Sequence, residues 1–446
     1  MAGVRPASRL AAETAEPSQE LHPRAEEDGL NLLREEGAFL RLPEGVGIDA
    51  SDVDVEYPSD ETMIINMGPQ HPSTHGVLRV MLELDGETVL RCKPVIGYLH
   101  TGMEKTAEEL MYIQGSTNVT RMDYLSPFHN EAVFSMAVEE LLDLEVPERA
   151  QWIRTLMLEM NRLSSHLVWI GTNSNDLGGV GVFTYVLRER ELLLAFFEKV
   201  TGLRMNHNYI RPGGVVVDLP AGWRQDVITI CDTLDNRLKE YEDILTGQPI
   251  FIERTRGVGI ITAEQAIALS ASGPVLRSTG VDWDLRRDMP YLKYGELEFD
   301  VVVGQYGDCW DRYAQRVEEV RQSLRMCRQM VDLMPGGDFR CQDKKITPPP
   351  RARINESMEA LIHHFKLFTE GFKVPEGEVY TAIESPRGEL GCYLVADGSP
   401  KPYRMHIRAP SFVNLQSMPV MVHGALIADA IAIISTIDPV MGDVDR

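Results

Sequence analysis

Residues 61–84 read ETMIINMGPQHPSTHGVLRVMLEL and contain two β-type runs, 61–66 and 77–84, joined by one loop. Short apolar runs bounded by turn residues are typical of strands. The loop, MGPQHPSTHG at 67–76, carries two histidines, two prolines and two glycines. Because functional side chains concentrate on loops that rigid elements hold in place, this loop is a candidate site. A surface turn with incidental histidines is the alternative interpretation.

The sequence pattern changes after this loop. An Asp85-Gly86 hairpin signal and a third run at 87–96 complete a small antiparallel sheet within residues 61–98. Helical periodicity then dominates residues 99–446. It predicts helices at 104–114, 131–144, 147–175, 180–205, 222–245, 263–271, 308–333 and 356–370, and a last helix after a mixed β segment at about 376–407. The sequence therefore predicts an α+β fold, mainly α, with a small N-terminal antiparallel β-sheet and a mixed α/β insertion near the C-terminus.

The charge of the chain excludes several kinds of partner. The 446 residues include 44 basic and 67 acidic side chains, which gives a formal net charge of -23 and a pI near 4.9. Nucleic acids and anionic lipid surfaces bind basic patches, so neither is expected as a partner. Residues 1–60 hold 5 basic and 14 acidic side chains, a composition that predicts a mobile acidic segment outside the fold.

The sequence lacks the motifs of the common soluble enzyme classes. It contains no GxGxxG after a strand, no GxxxxGKS/T, no HExxH and no GxSxG. Its six cysteines form no CxxC pair, which argues against a disulfide framework or a thiolate metal site and favours a reducing compartment. No apolar signal core opens the chain, and no uncharged apolar run of about 18 residues is present that would span a membrane.

The segment DPVMGDVDR, which begins at Asp438, resembles the DPCxxCxxH ending of nickel–iron hydrogenase large subunits. Val440, Asp443 and Arg446 stand where the two cysteines and the histidine would be. The RGxE and CGxC elements of those hydrogenases likewise correspond to TGME and to DYLS at 123–126. A nickel–iron centre needs four thiolates at these positions, and the chain has none there, so hydrogen activation is not expected.

The loop MGPQHPSTHG, the motifs LHTGMEK, TRMDY and NYIRPGGV, and the metal-free tail occur in one order in residues 60–446. Together they resemble the 49-kDa subunit of respiratory complex I, which is the D subunit of the bacterial NADH:quinone oxidoreductases. The resemblance implies a helical core like that of the nickel–iron hydrogenase large subunit. It also implies that the former metal cavity is the closed end of a quinone chamber. This chamber would lie beside a partner subunit that carries the terminal 4Fe–4S cluster.

On these motifs, the resemblance assigns roles to individual residues. The quinone head group would lie between His75 and Tyr124, with Asp176 as the partner of His75. Arg121 would lie close to the cluster of the partner subunit. The residues expected to shape the loop are Gly68, His71, Pro72 and Gly76. The chain itself would bind no metal and no cofactor.

These residue types suit the implied chemistry. A quinone that gains two electrons becomes basic at both oxygens, so its reduction needs hydrogen-bond donors that can release protons. An imidazole and a phenol meet that requirement. A carboxylate behind the histidine would favour the charged ring, orient it and respond when its proton leaves.

Two positions depart from the family pattern. Thr101 replaces the arginine of the LHRGxEK motif, so no role of that guanidinium carries over. The family's RMH motif, which supplies a histidine near the cluster, reads Arg204-Met205-Asn206-His207 in this chain. Either His207 reaches the same place through a local shift, or the proton-coupled tuning of the cluster is altered.

The resemblance therefore implies a peripheral subunit of a proton-translocating NADH:quinone oxidoreductase, expected on the cytoplasmic side of a bacterial cell membrane. Its expected partners are the terminal-cluster subunit, the 30-kDa-type subunit and the membrane-arm subunit at the quinone entrance. Quinone is the expected substrate, and NADH and FMN would bind elsewhere in the complex. The alternatives are a hydrogenase large subunit, an energy-converting hydrogenase relative and a scaffold without a quinone site. Ferredoxin or a reduced deazaflavin is the alternative electron donor.

Overall fold

The computed structural model describes residues 62–71, 74 and 76–446, so the acidic segment at 1–60 lies outside the described residues. The strands in this part of the chain are β1 (Thr62–Met67), β2 (Arg79–Asp85), β3 (Thr88–Val95), β4 (Ile210–Arg211), β5 (Gly214–Val215), β6 (Gly377–Ser385), β7 (Gly388–Ala396) and β8 (Arg404–Arg408). The first helices are α1 (Met103–Glu109), α2 (Tyr112–Val119), α3 (Pro127–Leu141), α4 (Glu148–Asp176), α5 (Val180–Thr201), α6 (Trp223–Leu245), α7 (Pro249–Glu253), α8 (Ala263–Ala268) and α9 (Pro274–Arg277). The others are α10 (Leu285–Asp288), α11 (Cys309–Leu333), α12 (Arg351–Ile354), α13 (Met358–Thr369), α14 (Pro410–Leu415), α15 (Met418–Val422), α16 (Ile427–Ile437) and α17 (Met441–Asp445), with a 3-10 helix at Tyr294–Glu296. The fold is thus α+β and mainly α, which confirms the predicted class.

The longest helix, α4, runs through the core and ends at a candidate site residue, Asp176. Its 29 residues correspond to a length of roughly 43 Å, at about 1.5 Å per residue. Most of its side chains are buried, and it packs against α5 and α11. A helix that is buried nearly all round belongs to the interior of a large fold. The sequence predicts this helix at 147–175, within one residue of each observed end.

Helix α6 shows the one-sided apolar pattern of a helix at the edge of the core. Its buried residues are Trp223, Val227, Ile230, Cys231, Leu234, Leu238, Tyr241 and Leu245. They recur mainly at intervals of three and four residues, so one face packs inward while most of the residues between them face outward. Within the described residues, no helix combines the length and the apolar composition that a membrane crossing requires.

The strands that carry the candidate loop form an antiparallel sheet in the order β1-β2-β3, with Ile65 opposite Leu82. The inner face of this sheet packs in a hydrophobic core with residues of α8, α14, α15 and α16. The N–H group of Val89 also donates to the carbonyl of Ala425 at 2.8 Å. The sheet therefore packs on the C-terminal helices, which directly precede the tail in the sequence.

A second antiparallel sheet has the strand order β6-β7-β8, and a two-residue turn at Pro386 and Arg387 joins β6 to β7. The sequence predicts a mixed α/β insertion at about 376–407. The helical part of that prediction is wrong, because residues 377–408, all of them described, contain strands, turns and bends without a helix. In β7 the side chains pack against neighbours on both faces, which gives a nearly continuous apolar run rather than a clear alternation.

Two further details differ from the sequence prediction. The helix expected at 104–114 is divided into α1 and α2, because the backbone is extended at Leu110 and Met111. The β4–β5 hairpin and the short helices α7, α9, α10 and α14 were not expected. Each of these elements has six residues or fewer, which is too short to display a period in the sequence.

Candidate functional site

The structure describes the candidate loop in part. Pro72 and His75, to which the sequence assigns loop-shaping and quinone-binding roles, lie outside the described residues, and so does Ser73. Gly76 has φ +81°, a left-handed conformation that favours glycine. This conformation supports the role in loop shaping that the sequence predicts for Gly76.

The described part of the loop is closed by its own side chains. Thr74 is buried, and its hydroxyl donates to the carbonyl of His71 at 3.0 Å and to that of Pro69 at 3.2 Å. Gly68 has φ +85°, and a Cβ at this position would lie 2.2 Å from the carbonyl oxygen of Leu78. Any other residue at 68 would force the chain apart where it enters the loop.

Asp176, the predicted partner of His75, is the last residue of α4. Burial raises the pKa of its carboxyl to about 6, whereas a hydrogen bond with Ser435 of α16 and the charge of His71 act in the opposite direction. Asp176 therefore lies within electrostatic reach of the loop and in contact with α16. Among the described residues of the loop, His71 is the histidine whose charge acts on this carboxyl.

Tyr124 lies in the turn between α2 and α3 and is 36% exposed. Burial raises the pKa of its phenol, and the charge of Asp123 raises it further. Arg387 acts in the opposite direction, and Asp438 adds a smaller upward effect. The phenol thus stays protonated at neutral pH beside a group of buried charges.

The tail packs directly under this tyrosine. A Cβ on Gly442 would lie 2.3 Å from the carbonyl oxygen of Met122 and 3.3 Å from Cδ1 of Tyr124, so only glycine allows this approach. Farther along, the carboxylate of Asp445 accepts the N–H group of Gly97 at 2.8 Å. The tail is therefore held between the chain segment after β3 and the turn that carries Tyr124.

The four positions at which a hydrogenase would carry cysteine are all buried in the fold. They are Asp123, Ser126, Val440 and Asp443, and each is at most 3% exposed. The N–H group of Ser126 donates to the carboxylate of Asp123 at 3.2 Å. Ser411 connects the other two, because its N–H donates to Asp443 at 3.0 Å and its hydroxyl accepts from the N–H of Val440 at 3.4 Å. Burial and the charge of Asp123 raise the pKa of Asp443, which places the two pairs within electrostatic reach.

A buried arginine, Arg387, connects this group to the end of α16. Its Nη1 donates to Asp123 at 2.8 Å and to Ser165 at 3.0 Å, and its Nη2 lies 3.3 Å from the carboxylate of Asp438. Sequence reasoning assigned no role to Arg387 or Asp438. The available signals were an arginine in the tight turn between two strands and an aspartate that precedes Pro439 in the tail motif.

Of the two residues expected near the 4Fe–4S cluster, one is exposed and the other is buried. Arg121 is exposed, and its guanidinium donates to the carbonyl of Thr117 in α2. His207 is buried, stacks on Phe128 with 4.1 Å between ring centroids, and has its Nδ1 3.0 Å from the carbonyl oxygen of Leu203. Burial lowers the pKa of His207 to about 4, so its ring is neutral at physiological pH.

A carboxylate that sequence reasoning did not single out, Glu131, fixes the backbone beside His207. It is fully buried in α3 and accepts the N–H groups of residues 208–210 at 2.5, 2.8 and 3.0 Å. Burial raises the pKa of Glu131 to about 7, although these hydrogen bonds favour its charged form. The fold therefore determines where His207 and the preceding Asn206 lie.

Comparison with known proteins identifies the family. Residues 176–446 match the sequence model of the family described as respiratory-chain NADH dehydrogenase, 49 Kd subunit. The chain belongs to this family. It is also 53% identical over 392 residues to the NADH-quinone oxidoreductase D subunit numbered 2 of Koribacter versatilis, a match that covers 88% of this chain and 98% of the relative.

Two further relatives are D subunits of the same kind of enzyme. The NADH-quinone oxidoreductase D subunit numbered 2 of Chloroflexus aurantiacus is 52% identical over 389 residues, which covers 86% of this chain and 95% of the relative. The D subunit numbered 1 of Herpetosiphon aurantiacus is 49% identical over 410 residues, with 91% and 97% covered. As a 49-kDa-family member, the chain is a subunit of an oxidoreductase complex whose other subunits are its partners. The predicted family and enzyme class are confirmed.

Proposed function

We propose that this chain forms the quinone-reduction chamber of a proton-translocating NADH:quinone oxidoreductase, with His75 and Tyr124 as the two donors to the quinone head group. The observation that carries this proposal is the partly exposed phenol of Tyr124 beside the buried charges of Asp123 and Arg387. The exposed side of the phenol can contact a ligand, and the charges of Asp123 and Arg387 act on its pKa from the buried side.

Tyr124 suits the role of a proton donor. Its raised pKa keeps the phenol protonated until a strong base arrives, and a quinone oxygen becomes such a base when it is reduced. The guanidinium of Arg387 favours the tyrosinate that remains after the transfer. Proton release is therefore coupled to the arrival of electrons.

Asp176 is the second titrating group in the proposal. A positively charged histidine beside it stabilises the ionised carboxyl. When the histidine donates its proton to the quinone, its ring becomes neutral, and the carboxyl can then take up a proton. The effect of His71 on the pKa of Asp176 supports a link of this kind between α4 and the loop. The match of motifs assigns the donor role to His75 and leaves His71 to shape the loop.

We propose further that the helical core is that of a hydrogenase large subunit without its metal. The burial of the four former cysteine positions supports this, and their side chains do not fit a nickel–iron centre, because carboxylate, hydroxyl and isopropyl groups replace the soft thiolates. Asp123 is moreover engaged by Arg387 at 2.8 Å. In the proposed complex the electrons come from the 4Fe–4S cluster of a neighbouring subunit, and NADH and FMN bind elsewhere.

Helix α13 has an exposed apolar face that suits contact with another subunit. Its exposed apolar side chains are Met358, Leu361, Ile362, Phe365 and Phe368, whereas its buried residues are Ala360 and Leu367. A helix with more apolar surface outside than inside is typical of a protein interface. The proposed partners are the terminal-cluster subunit, the 30-kDa-type subunit and the membrane-arm subunit at the quinone entrance. The whole assembly would place this chain peripherally, on the cytoplasmic side of a bacterial membrane.

The proposal is tested with Tyr124→Phe in the assembled complex. This change keeps the ring and removes the proton, so the kcat of NADH:quinone reductase activity is expected to fall about a hundredfold or more. NADH oxidation with ferricyanide, an acceptor that takes electrons before the quinone site, is expected to stay unchanged and reports on electron entry, whereas gel filtration of the purified complex reports on assembly. Tyr306→Phe, at a tyrosine that is 70% exposed, is the matched control.

The alternatives predict different results. A scaffold without a quinone site tolerates Tyr124→Phe, so wild-type quinone reductase activity in that variant would overturn the proposal. Stoichiometric nickel in the purified complex would instead favour a hydrogenase or an energy-converting relative.

A further inference from the structure

Asp438 is a buried carboxyl without a role in the proposed quinone chemistry. It follows α16 with φ +58° and is 5% exposed. Arg387 approaches it from the β6–β7 turn at 3.3 Å, and Arg316 acts on it from α11. The charge of Asp123, in the turn between α2 and α3, raises the pKa of Asp438. The same turn carries Tyr124, and the charge of Asp438 raises the pKa of its phenol.

Several polar atoms around Asp438 have no hydrogen-bond partner among the described residues. They are Oδ2 of Asp438, Oδ1 of Asp443, Nε of Arg387, and Nε and Nη2 of Arg316. All four side chains are buried. Because buried polar groups seldom lack a partner, such a cluster is a place for bridging water molecules or for a shared proton.

The charged groups that act on Asp438 are the guanidiniums of Arg316 and Arg387 and the carboxylate of Asp123. Arg312 and Glu319, also on α11, act on Arg316 in turn. Arg387 comes no closer to Asp438 than 3.3 Å, and a buried carboxylate that is weakly paired favours its protonated form. The pKa of Asp438 is raised to about 6, because burial and the charge of Asp123 outweigh the opposing charges of Arg387 and Arg316.

We propose that Asp438 holds the proton that returns to Tyr124 after the phenol has protonated the reduced quinone. This inference rests on the proposed function and adds the source of the second proton transfer. First the O–H bond of Tyr124 breaks and an O–H bond forms on the quinone oxygen, while the electrons come from the cluster of the partner subunit. Then the O–H bond of Asp438 breaks and the phenol O–H bond forms again. Asp438 is reloaded from solvent, and His75 supplies the other proton of the quinol.

The position of Asp438 gives this second transfer a direction. A tyrosinate at Tyr124 is only partly exposed and lies near the negative charge of Asp123. Moving the proton from Asp438 to the tyrosinate moves the negative charge to the carboxylate that faces both Arg387 and Arg316. Opposite charges at short range in a buried site favour that final state.

The experiment uses Asp438→Asn in the assembled complex and measures the quinone reductase kcat between about pH 5 and 9. A donor must be protonated, so the wild-type kcat is expected to fall as the pH rises through the apparent pKa of Asp438. The asparagine variant is expected to lose this dependence and roughly tenfold in kcat, with an unchanged KM for quinone. This loss is smaller than the effect of removing a direct donor, because Asp438 acts through Tyr124.

Two further variants separate this role from a structural one. Asp438→Glu keeps a carboxyl and is expected to recover most of the kcat, with the pH dependence displaced to higher pH because glutamate is the weaker acid. Asp429→Asn, at the other end of α16 and 3.9 Å from Arg254, is the matched control and is expected to leave the profile unchanged.

A double variant tests the connection to Tyr124. In a Tyr124→Phe background, Asp438→Asn is expected to add no further loss of kcat, because the group through which it acts is gone. A normal kcat in Tyr124→Phe would overturn the proposed function together with this inference. A slow Tyr124→Phe complex combined with a wild-type kcat and pH profile in Asp438→Asn would overturn the inference alone.

The remaining outcomes also distinguish a proton-donor role of Asp438 from a structural role. An Asp438→Asn complex that is slow but keeps the wild-type pH dependence would show a structural role and overturn the inference. If gel filtration shows that the Asp438→Asn complex does not assemble, the Asp438→Glu complex is measured in its place. A displaced pH dependence in that variant supports the inference, and a wild-type position of that dependence contradicts it.

Discussion

Two buried groups of arginine and carboxylate side chains lie in the helical part of the molecule. The core cluster consists of Arg162, Arg277, Arg286, Glu159, Asp284, Glu319 and Glu384, and the tail cluster of Arg316, Arg387, Asp123, Asp438 and Asp443. In the core cluster, Arg277 and His166 hold the pKa of Glu319 well below its usual range, although burial acts to raise it. In the tail cluster, burial prevails and the pKa of Asp438 is raised to about 6.

The difference lies in the number of close donors that each carboxylate receives. Glu319 is contacted by Arg277 and His166, each at 2.8 Å. Glu384 shares Arg277 with Glu319, and the pKa of Glu384 is raised. Asp438 receives only long contacts from Arg387: Nη2 lies 3.3 Å from Oδ2 without forming a hydrogen bond, and donates to Oδ1 at 3.5 Å. Burial alone therefore does not determine whether a carboxyl stays charged or takes up a proton; the hydrogen-bond donors around it decide the direction of its pKa shift.

The largest expected effect comes from Arg277→Met in the core cluster. The change leaves Glu319 and Glu384 without their shared guanidinium, which is expected to cost about 3–5 kcal/mol in the free energy of unfolding. Arg387→Met in the tail cluster is expected to cost less, about 1–3 kcal/mol, below pH 6, because the carboxyl of Asp438 becomes protonated there. Urea unfolding of the full-length chain measures both values. Equal losses at that pH would remove the distinction between the clusters.

The next effect concerns the pH dependence of stability at Asp438. Its folded pKa of about 6 lies above the usual 3.8, so this group stabilises the fold below pH 4 and the contribution is lost as the pH rises through 6. At about 1.4 kcal/mol per pKa unit, the change is about 3 kcal/mol. The stability of the wild type relative to Asp438→Asn should therefore fall by up to that amount between pH 4 and pH 7. Urea unfolding at both pH values measures it, and a difference independent of pH would contradict the assignment.

A smaller effect is expected from Gly442→Ala, which strains the contact between the tail and Tyr124. The new methyl group would meet the carbonyl of Met122, and overpacking of this kind costs about 1–3 kcal/mol. The quinone reductase kcat is expected to fall as well, because the ring of Tyr124 must move. Gly336→Ala, where a Cβ would meet nothing within 4 Å, is the matched control for both thermal unfolding and activity. Similar behaviour of the two variants would show that the tail does not position Tyr124.

The smallest effect is expected for an ion pair at the surface. Arg325 and Asp300 lie 3.0 Å apart, and both side chains are exposed. Arg325→Gln is expected to change the free energy of unfolding by about 0–1 kcal/mol, and salt should reduce even that difference. Urea unfolding at low and high ionic strength tests this. A loss as large as that of Arg387→Met would show that burial does not strengthen the ion pairs of the tail cluster relative to a surface pair.

The sequence predicts most of the architecture, because the long helices carry a period that reports which face is buried. Helix α4 is predicted within one residue at each end, and the family is recognised from motifs that keep their order. The roles of His75, Tyr124 and Asp176 stay predictions.

The tail cluster could not be predicted from the sequence in the same way. Arg387 and Asp123 are 264 residues apart, and periodicity indicates whether a residue is buried but not which partner it meets. The prediction of an unbroken helix through residues 110–111 and that of a mixed segment at 376–407 are wrong for a related reason. The packing of distant segments overrides the local propensity there.

The contact between Asp445 and Gly97 joins residues that are 348 positions apart, and it has a consequence for biosynthesis. During synthesis the turn with Tyr124 emerges early, whereas the residues that pack beneath it are added more than 300 residues later. Contacts of such long separation form late, because the loop between them must first be ordered. A nascent chain can therefore fold its long helices before the floor under Tyr124 exists. Packing of residues 438–446 beneath Tyr124 is therefore a late event, which follows the synthesis of these residues.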